Sequence, residues 1–350
     1  MISANAEDRT AKAVRSSDKL LPSLGIILVT GGLLLLGWFA YLWFKPVPAP
    51  YQYQLVAEGD SQKFSKMDLS GWPELKLSQY KVQADGVAKP IAEFIVARQK
   101  DEAPVLIYWK NSTNEILYNF DRKPSELSTL AAAIAKHAPK DALILSWWDT
   151  SRQIKLLTGN DTLFTSHLNE PLMIPIPWLE QSEAIQAYEK QFWGSKASQK
   201  EREQFKRFSE ALTAPAEEGV KQLRELVGSD REAYVIVHVT DLYKAGLMYP
   251  DRIGVAFQNF PMTGNMHGMI NQMKVQLKEN DFDTYTLQSV ADEEIRVFFL
   301  SDEKSSQTLL ARMLPFVDKK APTELDVAQL IYQQGGYWVY RLPQTETPAK

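Results

Sequence analysis

The feature that most constrains this chain is an uncharged apolar run near its N-terminus. Residues 20–44 read LLPSLGIILVTGGLLLLGWFAYLWF, and no charged residue lies between Lys19 and Lys45. A helix of that length can cross a hydrocarbon core of about 30 Å. The run is too long for the apolar part of a secretory signal peptide, and the prolines behind it make a poor cleavage site. It predicts an uncleaved, single-pass membrane anchor.

Basic residues on either side of this run predict its orientation. Four of them precede the run and one follows it closely: Arg9, Lys12, Arg15 and Lys19, then Lys45. Because basic segments stay on the cytoplasmic side, we expect residues 1–19 in the cytoplasm. The anchor is then expected in the inner membrane, with the rest of the chain in the periplasm.

The composition excludes several classes of function. The chain is 45% hydrophobic and 23% charged with a net charge of −4, which is typical of a folded protein and gives no basic excess for nucleic acid. It contains no cysteine. A covalent c-type haem, a thiolate-bound iron–sulfur cluster and a blue-copper site are therefore excluded. We expect no cofactor, with the copper site considered below as an alternative.

Alternating strand and helix patterns predict an α/β body. Short apolar runs such as 142–146 and 233–240 read as buried strands, and 125–136 reads as a helix. We expect an N-terminal transmembrane helix followed by two α/β regions joined by amphipathic helices. The predicted segments are a cytoplasmic tail at 1–19, an anchor at 20–44, a Pro-rich spacer at 45–60, a first α/β domain at 61–180, a helical connector at 181–229 and a second α/β domain at 230–345.

The stretch LILSWWDTSRQIKLLTG, residues 143–159, places two tryptophans and an aspartate directly after a predicted strand. In α/β folds, ligands bind beyond the carboxyl ends of strands. One hypothesis is therefore an aromatic-walled pocket that binds a sugar or peptide, or that serves an enzyme. Its residues are Trp147, Trp148, Asp149 and Arg152. The alternative is structural: the indoles fill the core, Asp149 or Thr150 caps the next helix, and Gly159 ends it.

A second candidate is the stretch PMTGNMHGMINQM, residues 261–273. Thioether and imidazole groups are soft ligands that suit copper, so a copper-handling site is one hypothesis. Its ligands would be Met262, Met266, His267 and Met269. On a helix, however, Met266, Met269 and Met273 share one face, and methionines on such a face more often fill gaps in a core.

Residues 145–171, LSWWDTSRQIKLLTGNDTLFTSHLNEP, resemble the WWDYG region of oligosaccharyltransferase catalytic subunits. In that family the Trp-Trp-Asp element grips the hydroxyl residue of the acceptor peptide, and Trp147, Trp148 and Asp149 match it. Thr150 and Ser151 stand where the family has Tyr and Gly. The chain also has one predicted span in place of the family's many-helix membrane domain. The resemblance therefore implies at most a recognition element and does not imply glycosyl transfer.

Several segments spread over most of the chain share one further resemblance: the anchor, ILSWWDTSRQIKLLTG, RIGVAFQNFPMTGNMHGMINQMKVQLKE, IRVFFLSDEKSSQTLLARMLPF and GGYWVYRL. Together they resemble the HaoB family of hydroxylamine oxidation proteins. This resemblance implies a membrane accessory protein that accompanies the multihaem hydroxylamine oxidoreductase, and it implies no catalytic residue. We therefore expect the lipid bilayer and that oxidoreductase as partners, and a role that is not enzymatic.

Overall fold

The structure is a computed structural model that describes residues 20–45, 47–100, 102–113, 122–168, 174–194, 196–228, 231–262, 266–291 and 294–344. The chain divides into two compact units, Met1–Pro48 and Ala49–Lys350. The predicted tail at 1–19 lies outside the described residues.

Ten α-helices occur among the described residues: α1 (Leu20–Phe44), α2 (Pro124–His137), α3 (Trp148–Thr158), α4 (Ser182–Trp193), α5 (Gln199–Leu212), α6 (Ala216–Val227), α7 (Asp241–Met248), α8 (Met266–Glu279), α9 (Glu303–Ser306) and α10 (Leu309–Arg312). Short 3₁₀-helices lie at Ser65–Met67, Ile176–Gln181 and Pro322–Glu324.

The same residues form twelve strands: β1 (Tyr51–Gly59), β2 (Lys76–Ala84), β3 (Ala92–Arg98), β4 (Val105–Asn111), β5 (Leu143–Ser146), β6 (Asp161–Thr162), β7 (Ala233–His238), β8 (Val255–Pro261), β9 (Thr284–Ala291), β10 (Glu294–Leu300), β11 (Gln329–Gln334) and β12 (Tyr337–Arg341). The predicted α/β class is confirmed.

The first unit contains the apolar helix α1, whose residues Pro22–Phe44 are long and apolar enough to cross a membrane. Large apolar side chains are exposed along this segment, including Leu34 at 76% and Phe44 at 81%. A water-soluble protein does not expose so continuous an apolar surface, whereas a hydrocarbon environment favours it. The single apolar N-terminal helix predicted from the sequence is confirmed.

The second unit begins with an antiparallel sheet in the order β1-β2-β3-β4. Its first strand lies within the segment predicted as a Pro-rich spacer, 45–60. That prediction is wrong from Tyr51 onward, because β1 pairs with β2 along its length. The sequence YQYQ at the start of β1 alternates aromatic and polar residues, which is itself a strand signal.

A mixed five-stranded sheet in the order β11-β12-β7-β5-β6 forms the centre of the body. Strand β5 runs parallel to β7, with Leu143 opposite Ala233, and β12 is antiparallel to β7. Both β5 and β7 are buried along their length, as expected for parallel strands covered on both faces. The two predicted α/β regions, 61–180 and 230–345, therefore share one sheet within one compact unit.

The remaining elements pack around these sheets. An antiparallel sheet in the order β8-β10-β9 buries Phe260, Val297 and Phe299 in one cluster with Met273 of α8. Helices α4, α5 and α6 occupy the predicted connector. The apolar side of α5, formed by Phe205, Phe208 and Leu212, lies in the same hydrophobic cluster as Trp147. Helix α4 packs its Ile185 and Trp193 into the core of the first sheet.

Candidate functional site

The two tryptophans of the Trp-Trp-Asp stretch lie in the hydrophobic core. Trp147 is 0% exposed and Trp148 is 2% exposed. The Trp148 ring stacks on Phe164 with centroids 4.8 Å apart, and both indoles meet Phe205 of α5 edge-on. The Trp148 indole N–H donates to the carbonyl oxygen of Ser166 at 2.6 Å. Neither indole is available as the wall of an open pocket.

Helix α3 begins differently from the sequence prediction. Trp147 occupies the N-cap position, and its side chain makes no capping hydrogen bond. The prediction that Asp149 or Thr150 caps the helix is therefore wrong. Asp149 lies within the first turn, where its negative charge suits the helix dipole. Gly159 ends the helix in a left-handed conformation with φ of 73°, as predicted.

Arg152 points away from the predicted pocket and joins α3 to the first sheet. Its Nη2 atom donates to the carbonyl oxygen of Pro104 at 2.7 Å, and the neighbouring Gln153 amide donates to that of Leu106 at 2.7 Å. Because β4 is an edge strand, these two side chains satisfy backbone carbonyls that no further strand pairs with. Burial lowers the pKa of Arg152 to about 10, which Asp149 partly offsets.

Asp149 instead meets charged groups from other parts of the fold. Its Oδ2 atom lies 3.3 Å from Nζ of Lys244 and 3.5 Å from Nη2 of Arg122. Burial acts to raise the pKa of Asp149, but the charges of Lys244 and Arg122 outweigh this effect and lower it. Asp149 is therefore an ionised carboxylate between two cations.

Lys244 lies deeper in the same group of charges. Its side chain is 1% exposed, and its Nζ is 3.3 Å from Oδ1 of Asp241 as well as 3.3 Å from Asp149. The ammonium also lies 5.4 Å from the centroid of the Trp147 ring, within the range of a cation–π contact. A buried ammonium held by two carboxylates and an indole face is well compensated.

A further set of polar groups surrounds the end of strand β7. The His238 backbone N–H donates to Oδ2 of Asp241 at 2.8 Å, and its ring Nδ1 lies 2.8 Å from Oγ1 of Thr240. Its Nε2 lies 3.9 Å from a carboxylate oxygen of Glu126. Burial lowers the pKa of His238 to about 4, so the imidazole is neutral at pH 7.

Glu126 and Gly336 complete this set of polar groups around His238. Glu126 accepts a hydrogen bond from the Gly336 backbone N–H at 3.0 Å. Burial raises the pKa of Glu126, but His238 and the Gly336 N–H together lower it below its ordinary value. A Cβ at position 336 would lie 2.3 Å from Nε2 of His238, so only glycine fits here. The site thus depends on the tight turn between β11 and β12.

Arg122 connects the charged groups around Asp149 with the polar groups around His238. Its Nη1 atom donates to the Tyr337 hydroxyl at 3.2 Å and to Oγ1 of Thr150 at 3.3 Å. Burial acts to lower the pKa of Arg122, but Tyr337, Asp149 and Asp241 raise it. We name the whole group the Asp149 cluster. Its members are Arg122, Glu126, Asp149, His238, Asp241, Lys244 and Tyr337.

The cluster lies where parallel strands β5 and β7 end, the edge at which α/β proteins place functional groups. The sequence analysis located Asp149 there but missed Lys244 and Asp241. The residues HVTDLYK run from the end of β7 into the next helix, and SWWDTSR do the same after β5. This shared pattern was the sequence signal that could have located Asp241 and Lys244. The outer edge of the Asp149 cluster is formed by two partly exposed carboxylates, with side chains 31% exposed in Asp149 and 15% exposed in Glu126. The charges otherwise neutralise one another.

The methionine-rich stretch packs into a core. Met269 and Met273 are buried with Phe260 and Val297, and Met262 packs against the same cluster. His267 is exposed on α8, and the side chain of Met266 lies outside the described residues. Within the part of the chain that the structure describes, no three His, Asp or Glu residues are arranged to hold a metal ion. The buried thioethers contribute to packing.

Among solved structures, the C-terminal domain of C. jejuni PglB is similar at 11% identity and a TM-score of 0.34, covering 62% of this chain and 99% of that domain. No curated protein sequence matches the chain. A family model described as HaoA-associated protein HaoB matches residues 17–342, which include α1 and nearly all of the body. The chain therefore belongs to the HaoB family.

Proposed function

We propose that this protein is a membrane-anchored accessory of hydroxylamine oxidation whose periplasmic body associates with the hydroxylamine oxidoreductase HaoA. The match of the HaoB family model to residues 17–342 carries this proposal. The family is described by its association with HaoA, and the match includes both the apolar helix and the body. Both the apolar helix and the body therefore belong to the region that the family shares.

The anchoring and orientation are supported by α1 and by the basic residues before it. Residues Pro22–Phe44 have the length and hydropathy of a membrane span. The basic residues before the span support a cytoplasmic N-terminus by the positive-inside rule. A tether of this kind raises the effective concentration of the body near other proteins at the same membrane surface.

An accessory role is supported over a catalytic one by the chemistry of the chain. Without cysteine it can carry no covalent c-type haem and cannot relay electrons through one. In the Asp149 cluster, Lys244 and Asp241 are almost fully buried and paired with each other. We propose that the protein acts through its surface, without a cofactor of its own.

Association is tested with full-length tagged protein in detergent, incubated with purified HaoA and mildly cross-linked. The matched control carries residues 1–48 fused to an unrelated soluble domain, because those residues form the first unit. We expect HaoA, detected by its haem absorbance, to be retained by the full-length protein and not by the control. Equal retention by both proteins, or retention by neither, would overturn the proposal.

Orientation is tested separately with single cysteines, which the cysteine-free chain allows without background labelling. Ser3→Cys and Gln344→Cys variants are treated in cells with a maleimide that crosses the outer membrane but not the inner one. We expect labelling at position 344 and protection at position 3. The reverse pattern would contradict the proposed topology.

A further inference from the structure

An exposed apolar turn lies on the body between β6 and α4. Residues 174–179 read IPIPWL, and the 3₁₀ turn Ile176–Gln181 begins within them. Ile176 is 83% exposed and Leu179 is 53% exposed, and Pro177 between them is exposed as well. Single exposed apolar residues are common on soluble proteins, but three in one short turn mark a contact surface.

The turn is held in place from the inner side. The Trp178 ring stacks on the Tyr51 ring with centroids 5.4 Å apart, and Ile174 packs against the same hydrophobic cluster. Tyr51 is fully buried and donates a hydrogen bond to the Glu189 carboxylate. Pro175 and Pro177 each restrict their own backbone. Ile176 and Leu179 are therefore presented outward by a stiff support.

Tyr51, which supports this turn, lies at the start of β1, where the chain joins the body. Ala49 and Pro50 are already buried, whereas Lys45, Val47 and Pro48 are exposed. Five residue steps join Phe44 to Ala49, and a fully extended chain rises at most about 3.6 Å per residue, or about 18 Å in total. This bound follows from covalent geometry alone. The covalent length of this link therefore limits how far the start of β1 can lie from the end of α1.

We propose that the turn at Ile176–Leu179 inserts into the lipid surface of the membrane that α1 spans. The proposal rests on the membrane anchoring proposed above. The apolar surface available so close to Tyr51 is the acyl region of that bilayer, where exposed apolar side chains such as Ile176 and Leu179 become buried. Glu180, which is exposed beside Leu179, limits the insertion to the interfacial region. The body is then held at the membrane at two points.

The test uses full-length single-cysteine variants labelled with nitrobenzoxadiazole. They are reconstituted into phosphatidylethanolamine–phosphatidylglycerol vesicles that contain nitroxide-labelled lipid. The test variant is Ile176→Cys. The matched control is Ile331→Cys, because Ile331 is also an exposed apolar residue, at 45%, but lies on β11. We expect blue-shifted emission and several-fold stronger quenching at position 176 than at position 331.

Equal quenching at positions 176 and 331 would overturn the insertion. A Leu34→Cys variant, with its label on α1, separates that result from a failure of anchoring. If the label at position 34 is quenched and that at position 176 is not, the anchor holds and the insertion is wrong. If the label at position 34 is not quenched, the anchoring fails and the insertion fails with it. A blue shift at position 176 that needs added HaoA and shows no lipid quenching would assign the turn to a protein partner and overturn the proposal.

Discussion

The Nζ atom of Lys244 lies 3.3 Å from Oδ2 of Asp149, although 95 residues separate the two in the chain. Asp149 lies on the helix that follows β5, and Lys244 lies on the helix that follows β7. Since β5 and β7 are parallel neighbours, this ion pair joins the two helices at the carboxyl edge of the sheet. The contact connects the regions before and after the helical connector.

Replacing Lys244 is expected to destabilise the body strongly. In a Lys244→Met variant, the 1%-exposed Asp241 loses its buried cation, and breaking a buried ion pair costs about 3–5 kcal/mol. The control is Lys155→Met, which removes an exposed pair with Asp161 worth at most about 1 kcal/mol. Urea unfolding followed by tryptophan fluorescence gives both values. Similar costs for the two variants would show that the buried pair is not held as described.

The free energy of unfolding is expected to fall as the pH drops from 6.5 to 4. Burial lowers the pKa of His238 from 6.5 to about 4. Between these values the unfolded chain binds a proton that the folded chain does not, so stability increases with pH across this window. The full shift corresponds to about 3 kcal/mol. A His238→Gln variant should show a flatter pH profile of urea midpoints over the same range, and an unchanged slope would refute this assignment.

The two tryptophans are expected to differ in their response to phenylalanine. Trp148→Phe removes a hydrogen bond to Ser166 and leaves that part-buried carbonyl without its indole donor. The Trp147 indole nitrogen is buried without a hydrogen-bond partner, so Trp147→Phe loses no such bond and keeps an aromatic face beneath Lys244. Trp148→Phe should therefore cost about 1 kcal/mol more, as measured by urea unfolding. Equal costs, or the reverse order, would contradict the geometry.

Glu189 is expected to hold α4 on the first sheet. Its carboxylate accepts hydrogen bonds from the Tyr51 and Tyr53 hydroxyls and from the Trp193 indole. Glu189→Leu leaves the buried Tyr51 and Trp193 donors and the part-buried Tyr53 donor without this acceptor, at a cost of about 3 kcal/mol, whereas Tyr53→Phe removes one donor at about 1 kcal/mol. Urea unfolding measures the costs, and limited proteolysis reports whether α4 loosens. If Glu189→Leu costs no more than Tyr53→Phe, the carboxylate does not organise this contact.

Some parts of the site could be predicted from the sequence and others could not. The strand before Trp147 and the glycine that ends α3 follow from local pattern. Apolar periodicity, and a glycine in the left-handed conformation at the end of a helix, both depend on neighbouring residues. The role of Arg152 could not be predicted in this way. Its acceptor, the Pro104 carbonyl, lies 48 residues away on the edge of another sheet.

The sequence by itself determined the apolar N-terminal helix, the α/β class and most of the buried strands, because each depends on the order of apolar and polar residues within a short window. Its resemblance to HaoB was also present in the sequence and is confirmed by the family match. Only the tertiary structure decided that β5 and β7 pair in one sheet. That pairing buries both indoles and brings Lys244 to Asp149. Contacts of this kind depend on which distant strands pair, and local periodicity does not specify the partner of a buried strand.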